Sequence, residues 1–253
     1  MKKEKRFLAF DIGAETGRAI VGIIDTDQIT LNEIYRFPNG GVSINNHLHW
    51  NVLGLYTQLL EGLKIYVREY GPDLNGIGVD TWGVDFGLFD SKGNLIGNPY
   101  HYRDDRNKGT PEIIDKKVGN EEIYNLTGIQ LLPFNTVNQL VSMVESHDPA
   151  LNITEKILFM ADILHYFLTG EMAVEYTAAS ISQLYNTAMG KWEKSIFDKL
   201  NIPYHLTAKI IRAGDIIGYL KKNIANEVGL GRIPVIAPAV HDTASAAVAI
   251  PTT

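Results

Sequence analysis

The sequence has no cysteine among its 253 residues. That excludes disulfides, thiolate zinc sites and a cysteine nucleophile, and it fits a reducing compartment. No apolar run approaches the ~20 residues of a membrane-spanning helix. Between the opening KKEKR and Asp11 only FLAF intervenes, too short for the apolar region of a secretory signal. KKEKR is also the longest basic block, and the net charge is −6; both argue against a nucleic-acid surface and a polybasic membrane anchor. Internal repeats and low-complexity linkers are lacking too. What remains is a chain expected in the cytoplasm with a small-molecule or protein partner. Its 45% hydrophobic residues are ample for a packed core.

The runs RFLAFDIG, RAIVGIID and ITLNEIYRF are of strand length and joined by turn residues, predicting a β-meander. From Asn51 the period changes: Val52, Tyr56, Leu59, Leu63 and Tyr66 recur every three or four residues until YGP. This predicts an amphipathic helix of about five turns. LNGIGVDTWGVDFGLFD then supplies two apolar strand segments around Gly83, the first a buried central strand reached by a crossover. From Asn107 to Leu230 the pattern is mostly helical and the strand signal weak. RIPVIAPAV returns as a buried strand, and HDTASAAVA follows as a helix that Asp242 or Thr243 can cap. The sum is an α/β domain carrying a mostly helical insertion.

Four stretches hold groups that chemistry uses. FDIGAETGRA delivers Asp11 to a tight turn between strands, where Gly13 and Gly17 can take positive φ and let backbone N–H groups converge on an anion. It reads as a phosphate cradle or as an ordinary hairpin. It is neither a Walker A loop nor a dinucleotide fingerprint, because no Lys–Ser/Thr pair follows and the next element is a strand. GVDTWGVDFGLFD brackets Trp82 and Gly83 with Asp80 and Asp85. Gly83 inside a strand pattern marks a bulge or a close ligand approach, and Trp82 packs on a sugar ring or simply in the core. Nothing here fixes the separation a glycosidase carboxylate pair requires.

In YHYRDDRNKG, Arg103, Asp104, Asp105 and Arg106 either grip hydroxyls and phosphates or form a solvated loop of charges. PAVHDTASAAVA breaks an apolar run with His241 and Asp242 just past a buried strand, the place where open α/β sheets bind ligands. Asp242 there takes a hydroxyl proton during attack on phosphorus, or it only caps the helix. Ser245 lacks a GxSxG elbow, which weakens a Ser–His–Asp hydrolase. His47 and His49 of HLHW lack nearby carboxylates in sequence and read as surface.

Together DIGAETGR, DTWGVDFGLFD, YRDDR, TGIQLLPFNT, LTGEMAVEYTAAS and HDTASAAVA, in this order, resemble the FGGY carbohydrate kinases from residue 6 to the C-terminus. DTWGVDF with GIQLLPFNT and HDTASA is most similar to the rhamnulokinase branch. The resemblance implies a ribonuclease H-like fold of the actin and hexokinase type, a mixed sheet with flanking helices. It implies ATP- and Mg²⁺-dependent phosphorylation of L-rhamnulose at the C1 hydroxyl, giving L-rhamnulose 1-phosphate in L-rhamnose catabolism. It puts Ala14, Glu15, Thr16, Gly17 and Arg18 against the ATP phosphates and Asp11 near Mg²⁺ through water. It further implies that Gly83 meets the sugar through its backbone and that His241, Asp242 and Thr243 line the sugar site, with Asp242 as proton acceptor.

YRDDR matches the family's sugar-side loop. Glu15 departs from the small hydroxyl residues usual in the turn, and because an acid repels phosphates it is expected to point away. Family members have two similar domains, and this sequence ends at Thr253 about where the first finishes. Residues 1–253 are therefore expected to be the N-terminal domain, carrying sugar site and base, without the C-terminal ATP-binding domain and inactive alone. Another ketose or polyol kinase of the family, and a non-catalytic sugar-binding domain, stay open as alternatives.

Overall fold

A computed structural model describes residues 4–26 and 28–251. Strands β1 (Lys5–Ile12), β2 (Thr16–Ile24) and β3 (Ile29–Pro38) form the expected meander. β1 and β2 pair antiparallel from Lys5↔Ile24 to Ile12↔Gly17, and β2 and β3 from Thr16↔Pro38 to Ile24↔Ile29. Strand alternation sends Leu8, Phe10, Ile12, Ala19 and Val21 into the core.

A short hairpin, β4 (Gly41–Ile44) and β5 (His47–Trp50), comes next. It turns at Asn45 and Asn46, both with positive φ, which asparagine tolerates. Helix α1 (Val52–Tyr70) starts where Asn51 accepts the Gly54 N–H at 3.0 Å and buries Val52, Leu55, Leu59, Leu63 and Tyr66. The chain then crosses over into β6 (Gly76–Thr81), parallel to β1 with Asp11 opposite Asp80.

Strand β7 (Phe86–Phe89) leaves the main sheet and pairs with β8 (Lys156–Phe159). Between them lie α2 (Thr110–Lys117), α3 (Asn120–Thr127) and α4 (Thr136–Glu145). Then follow α5 (Met160–Thr169), β9 (Val174–Glu175), α6 (Tyr176–Ser180), β10 (Tyr185–Asn186), β11 (Lys191–Trp192), α7 (Lys194–Leu200) and β12 (Ile210–Ile211). The insertion is mostly helical as expected, with two-residue ladders that are too short to leave a periodic signal. Strand β13 (Ile216–Tyr219), helix α8 (Lys222–Val228), strand β14 (Pro234–Ile236) and helix α9 (Asp242–Val248) complete the chain.

The main sheet has the order β13-β14-β6-β1-β2-β3. Its middle, β14-β6-β1, is parallel, and both flanks are antiparallel. The three parallel strands end on one edge, so their last residues and those just past them meet there: Asp11 and the turn after β1, Thr81 to Asp85 at and after the end of β6, and Val240 to Asp242 after β14. That edge is where open α/β sheets place ligands. No helix of the described residues is long and apolar enough to cross a membrane.

Candidate functional site

Three carboxylates gather at the edge. Asp11 Oδ2 pairs with Arg18 Nε across the β1–β2 hairpin at 2.9 Å. Asp80 is pushed up to about 7, first by burial and then by the negative charges of Asp11 and Asp242. Among the described residues, no group of three His, Cys, Asp or Glu is arranged to hold a metal ion directly.

His241 and Asp242 hang from β14 and are fastened to β6. The Thr81 N–H donates to the Val240 carbonyl at 2.9 Å, and Thr81 bridges to His241 in parallel register. The expected cap of α9 is corrected here: His241, not Asp242 or Thr243, occupies the cap position, and its side chain caps nothing. Asp242 is the first helical residue, and its Oδ1 accepts from the Thr243 N–H at 2.5 Å and the Thr243 hydroxyl at 3.1 Å. His241 Nε2 stands 3.3 Å from the same Oδ1. Burial lowers the His241 pKa, against the pull of the Asp242 charge. Among the described residues nothing engages Asp242 Oδ2, and the side chain is 48% exposed. The segment thus presents a carboxylate oxygen outward beside a largely neutral imidazole.

Gly83 faces this segment from the next strand. A Cβ there would stand 2.0 Å from Ile181 Cδ1 and 2.9 Å from His241 Cδ2, so only glycine fits without displacing one of them. The Asp85 N–H donates to the Gly83 carbonyl at 2.9 Å, a tight turn centred on Val84 at φ 70°. A β-branched residue there is strained and needs external support. Thr136 supplies part of it by donating its hydroxyl to the Val84 carbonyl at 2.8 Å.

Asp85 supplies the rest from a fully buried position. Its Oδ2 accepts from Trp50 Nε1 at 2.5 Å, Trp82 Nε1 at 2.9 Å and the Tyr102 N–H at 3.2 Å, while Oδ1 accepts from Gln139 Nε2 at 2.7 Å. Burial pushes its pKa up to about 6 despite those donors. Trp82 is a core residue, its ring 3.9 Å from the Trp50 ring and tilted by 36°, and Asp85 is closed to any substrate; both facts remove a glycosidase pair from consideration. Trp50, Thr136 and Gln139 went unnoticed in the sequence, because their partners at Val84 and Asp85 lie 35 to 55 residues away.

The RDDR loop is only partly a solvated loop. Asp104 is buried and accepts from the Leu48 N–H at 2.7 Å, the Arg106 N–H at 3.0 Å and His47 Nδ1 at 3.1 Å. Burial raises its pKa, but those donors outweigh burial and leave it lowered. His47 is exposed, as read from sequence, but it does have a carboxylate partner, 57 positions away. Arg106 lies 3.8 Å over the Tyr100 ring and donates to Gln139 Oε1 at 3.0 Å. Arg103 and Asp105 stay exposed and line a cavity of about 570 Å³ with Tyr102, Pro133 and Phe134.

The turn after β1 is closed by Gly13 N–H to the Thr16 carbonyl at 2.9 Å. Asn39 clamps it, donating Nδ2 to the Gly13 carbonyl and its N–H to the Glu15 carbonyl, both at 2.8 Å. Neither Gly13 nor Gly17 has a positive φ, which corrects the expectation from sequence. Gly17 is required for space, since a Cβ would sit 2.2 Å from Phe37 Cζ. Among the described residues no acceptor takes the N–H of Ala14 or Glu15, and Glu15 and Thr16 are exposed. Two free amides and a hydroxyl on an open turn suit an anion.

A family model described as the N-terminal domain of the FGGY family of carbohydrate kinases matches residues 6–249. The rhamnulokinase of Bacteroides thetaiotaomicron is 40% identical over 248 residues, covering 98% of this chain and 51% of that protein. The rhamnulokinase of Pectobacterium atrosepticum is 38% identical over 250 residues, covering 98% and 49%. Among solved structures, a ligand-bound xylulose kinase from Lactobacillus acidophilus matches with a TM-score of 0.81 at 14% identity, over 92% of this chain and 47% of that one. A carbohydrate kinase from Novosphingobium aromaticivorans matches at 0.80 with 22% identity, over 96% and 51%. These structural likenesses establish the mixed α/β fold. The chain spans about half the length of the curated relatives it matches.

Proposed function

Because the chain belongs to the FGGY family of carbohydrate kinases, matching its N-terminal domain, we propose that it is the sugar-holding and base-supplying part of a rhamnulokinase. The reaction is transfer of a phosphoryl group from ATP to the C1 hydroxyl of L-rhamnulose, giving L-rhamnulose 1-phosphate, and its ATP requirement puts it in the cytoplasm. The observation that carries this reading is the contact of Gly83 with His241, which brings two motifs far apart in sequence to one spot beside Asp242. Identity of 36 to 40% to rhamnulokinases supports that sugar over other ketoses.

The residues divide the work as follows. The Gly83 turn presents backbone to the sugar, and the absence of a Cβ lets Ile181 and His241 pack directly against that backbone at the edge of the site. His241 and Thr243 flank the sugar hydroxyls. Asp242 takes the C1 hydroxyl proton on Oδ2, the oxygen its neighbours leave free, while Oδ1 stays anchored to Thr243. The free amides of Ala14 and Glu15, with Thr16, Gly17 and Arg18, fit the phosphates of ATP. Glu15 lies exposed, turned to solvent. Asp11, at the end of β1 beside that turn, would hold Mg²⁺ through water. When bound, ATP supplies the phosphoryl group and Mg²⁺ offsets its charge. With Asp242 half-exposed, water reaches the site, so efficient transfer needs cover from elsewhere in the whole enzyme.

Calorimetry with L-rhamnulose, D-xylulose and glycerol tests the sugar. A coupled assay of ATP consumption tests turnover, on this chain alone and mixed with the C-terminal half of the Bacteroides relative. L-rhamnulose is expected to bind and to be turned over in the mixture, and Asp242→Asn to lower that turnover ~10² to 10⁴-fold. Preference for D-xylulose or glycerol points to another kinase of the family. Sugar binding without turnover in the mixture points to a non-catalytic binding domain.

A further inference from the structure

Behind the His241–Asp242 segment lies a buried acid pair that the proposed mechanism does not use. Asp162 on α5 and Glu175 at the start of α6 are each 1% exposed. They are tied together, for the Glu175 N–H donates to Asp162 Oδ1 at 3.1 Å. Glu175 Oε2 is crowded with donors: the Thr177 N–H at 2.7 Å, the Thr177 hydroxyl, and the Val240 N–H at 3.3 Å. The Thr177 hydroxyl oxygen in turn accepts the His241 N–H at 3.2 Å. One carboxylate oxygen therefore governs both amides that lead into Asp242.

The opposite oxygens are bare. Glu175 Oε1 and Asp162 Oδ2 are both buried without a hydrogen-bond partner. No Lys or Arg among the described residues pairs with either group. His165, one turn further along α5, is no counterion: burial pushes its pKa down to about 3, and its Nε2 accepts the Val79 N–H at 3.2 Å. Two ionised carboxylates in such a place would be strongly unfavourable, and a single proton between them removes the conflict. The donor count says which group keeps the charge. Three donors fall on one Glu175 oxygen, whereas Asp162 accepts from backbone only, and burial together with the Glu175 charge drives its pKa well above the usual range.

We propose that Asp162 is protonated in the folded protein and donates from Oδ2 to Glu175 Oε1, so that the shared proton fixes Glu175 as the positioning residue of the Val240–His241 segment. With that proton every oxygen of the pair has a partner. The consequence for function rests on the reading of His241 and Asp242 as sugar-side residues; the protonation itself does not.

Infrared spectroscopy of the chain labelled with ¹³C-aspartate tests the protonation without sugar or ATP. At about pH 9, where Asp80 with its pKa of about 7 is ionised, a carboxylic-acid carbonyl band that vanishes in Asp162→Asn is expected; no acid band at that pH overturns the proposal. The asparagine amide can replace the acid, donating to Glu175 Oε1 and accepting from the Glu175 N–H. Asp162→Asn is therefore expected to keep L-rhamnulose affinity within about twofold of the parent and to leave the His241 ring NMR signals in place. Glu175→Gln replaces the charged acceptor of three donors by a neutral amide oxygen that holds them more weakly, and is expected to move those signals and weaken sugar binding roughly tenfold or more. Should Glu175→Gln fail to fold, Thr177→Val cuts only the hydroxyl link and is expected to shift His241 while the acid band persists. A harmless Glu175→Gln with a damaging Asp162→Asn would overturn the assignment. If the parent shows the band but binds no sugar, the shared proton stands and the proposed function falls.

Discussion

Gly83→Ala is the most direct probe of the site. The new methyl would lie 2.0 Å from Ile181 Cδ1 and 2.9 Å from His241 Cδ2, and the φ of Gly83 lies outside the left-handed region, so the backbone adds no strain. Overpacking a protein interior costs ~1 to 3 kcal/mol. Ile181 is only half-buried and is met at its flexible end, which puts the expected loss of stability near ~1 kcal/mol in urea unfolding. The His241 ring has less freedom, because its backbone is pinned to Thr177 and Thr81. A shift of a few tenths of an ångström in that ring, which the proposed function sets beside the sugar, is expected to weaken L-rhamnulose binding at least ~10-fold, or ~1.4 kcal/mol. Calorimetry reads the affinity and denaturation the stability, and their ratio is the test. Adding Ile181→Ala should restore stability without restoring affinity. A Gly83→Ala protein that binds the sugar like the parent would refute the contact between this turn and the substrate.

Asp80 holds its proton up to about pH 7 in the folded protein but loses it near 3.8 when unfolded. The folded state thus binds more protons across that window, and stability falls as pH rises through it. Asp80→Asn should accordingly raise the melting temperature at pH 8, by ~2 to 4 kcal/mol of stability, and change little at pH 3.5. Trp50→Phe removes one N–H from the Asp85 carboxylate; stability should drop by ~1.5 to 3 kcal/mol at pH 8 and by less at pH 5, where Asp85, with its pKa of about 6, is mostly protonated. Gly17→Ala drives a methyl into the buried Phe37 ring and should cost ~1 to 3 kcal/mol in urea unfolding.

Elements whose signal is local were legible. The meander, α1, β6 and β14 each announce themselves by a run of alternating, helical or continuous apolar residues. The hairpin β4–β5 does not, since most of its residues are exposed and only Asn45-Asn46 marks the turn. β13 is a half-exposed edge strand of four residues, equally quiet. At the site, Gly83, His241 and Asp242 could be read because a glycine or a charge interrupts an apolar run. At Gly17 space is what the hairpin demands and not left-handed backbone, a property that sequence does not display. Asp85 could be seen, but its role could not, because hydrogen bonds between distant segments leave no pattern in sequence.

That same carboxylate bears on how the molecule assembles. Its donors come from positions 50, 82, 102 and 139, so the sheet-side hairpin, the central strand, the following loop and the inserted α4 must all dock before it is satisfied. Closing such loops is slow compared with forming the local meander. The Gly83 turn is thus among the last features to be acquired on refolding. Amides around Gly83 should gain protection from hydrogen exchange after those of β1 and β2, leaving a molecule that already has its sheet while still lacking its site.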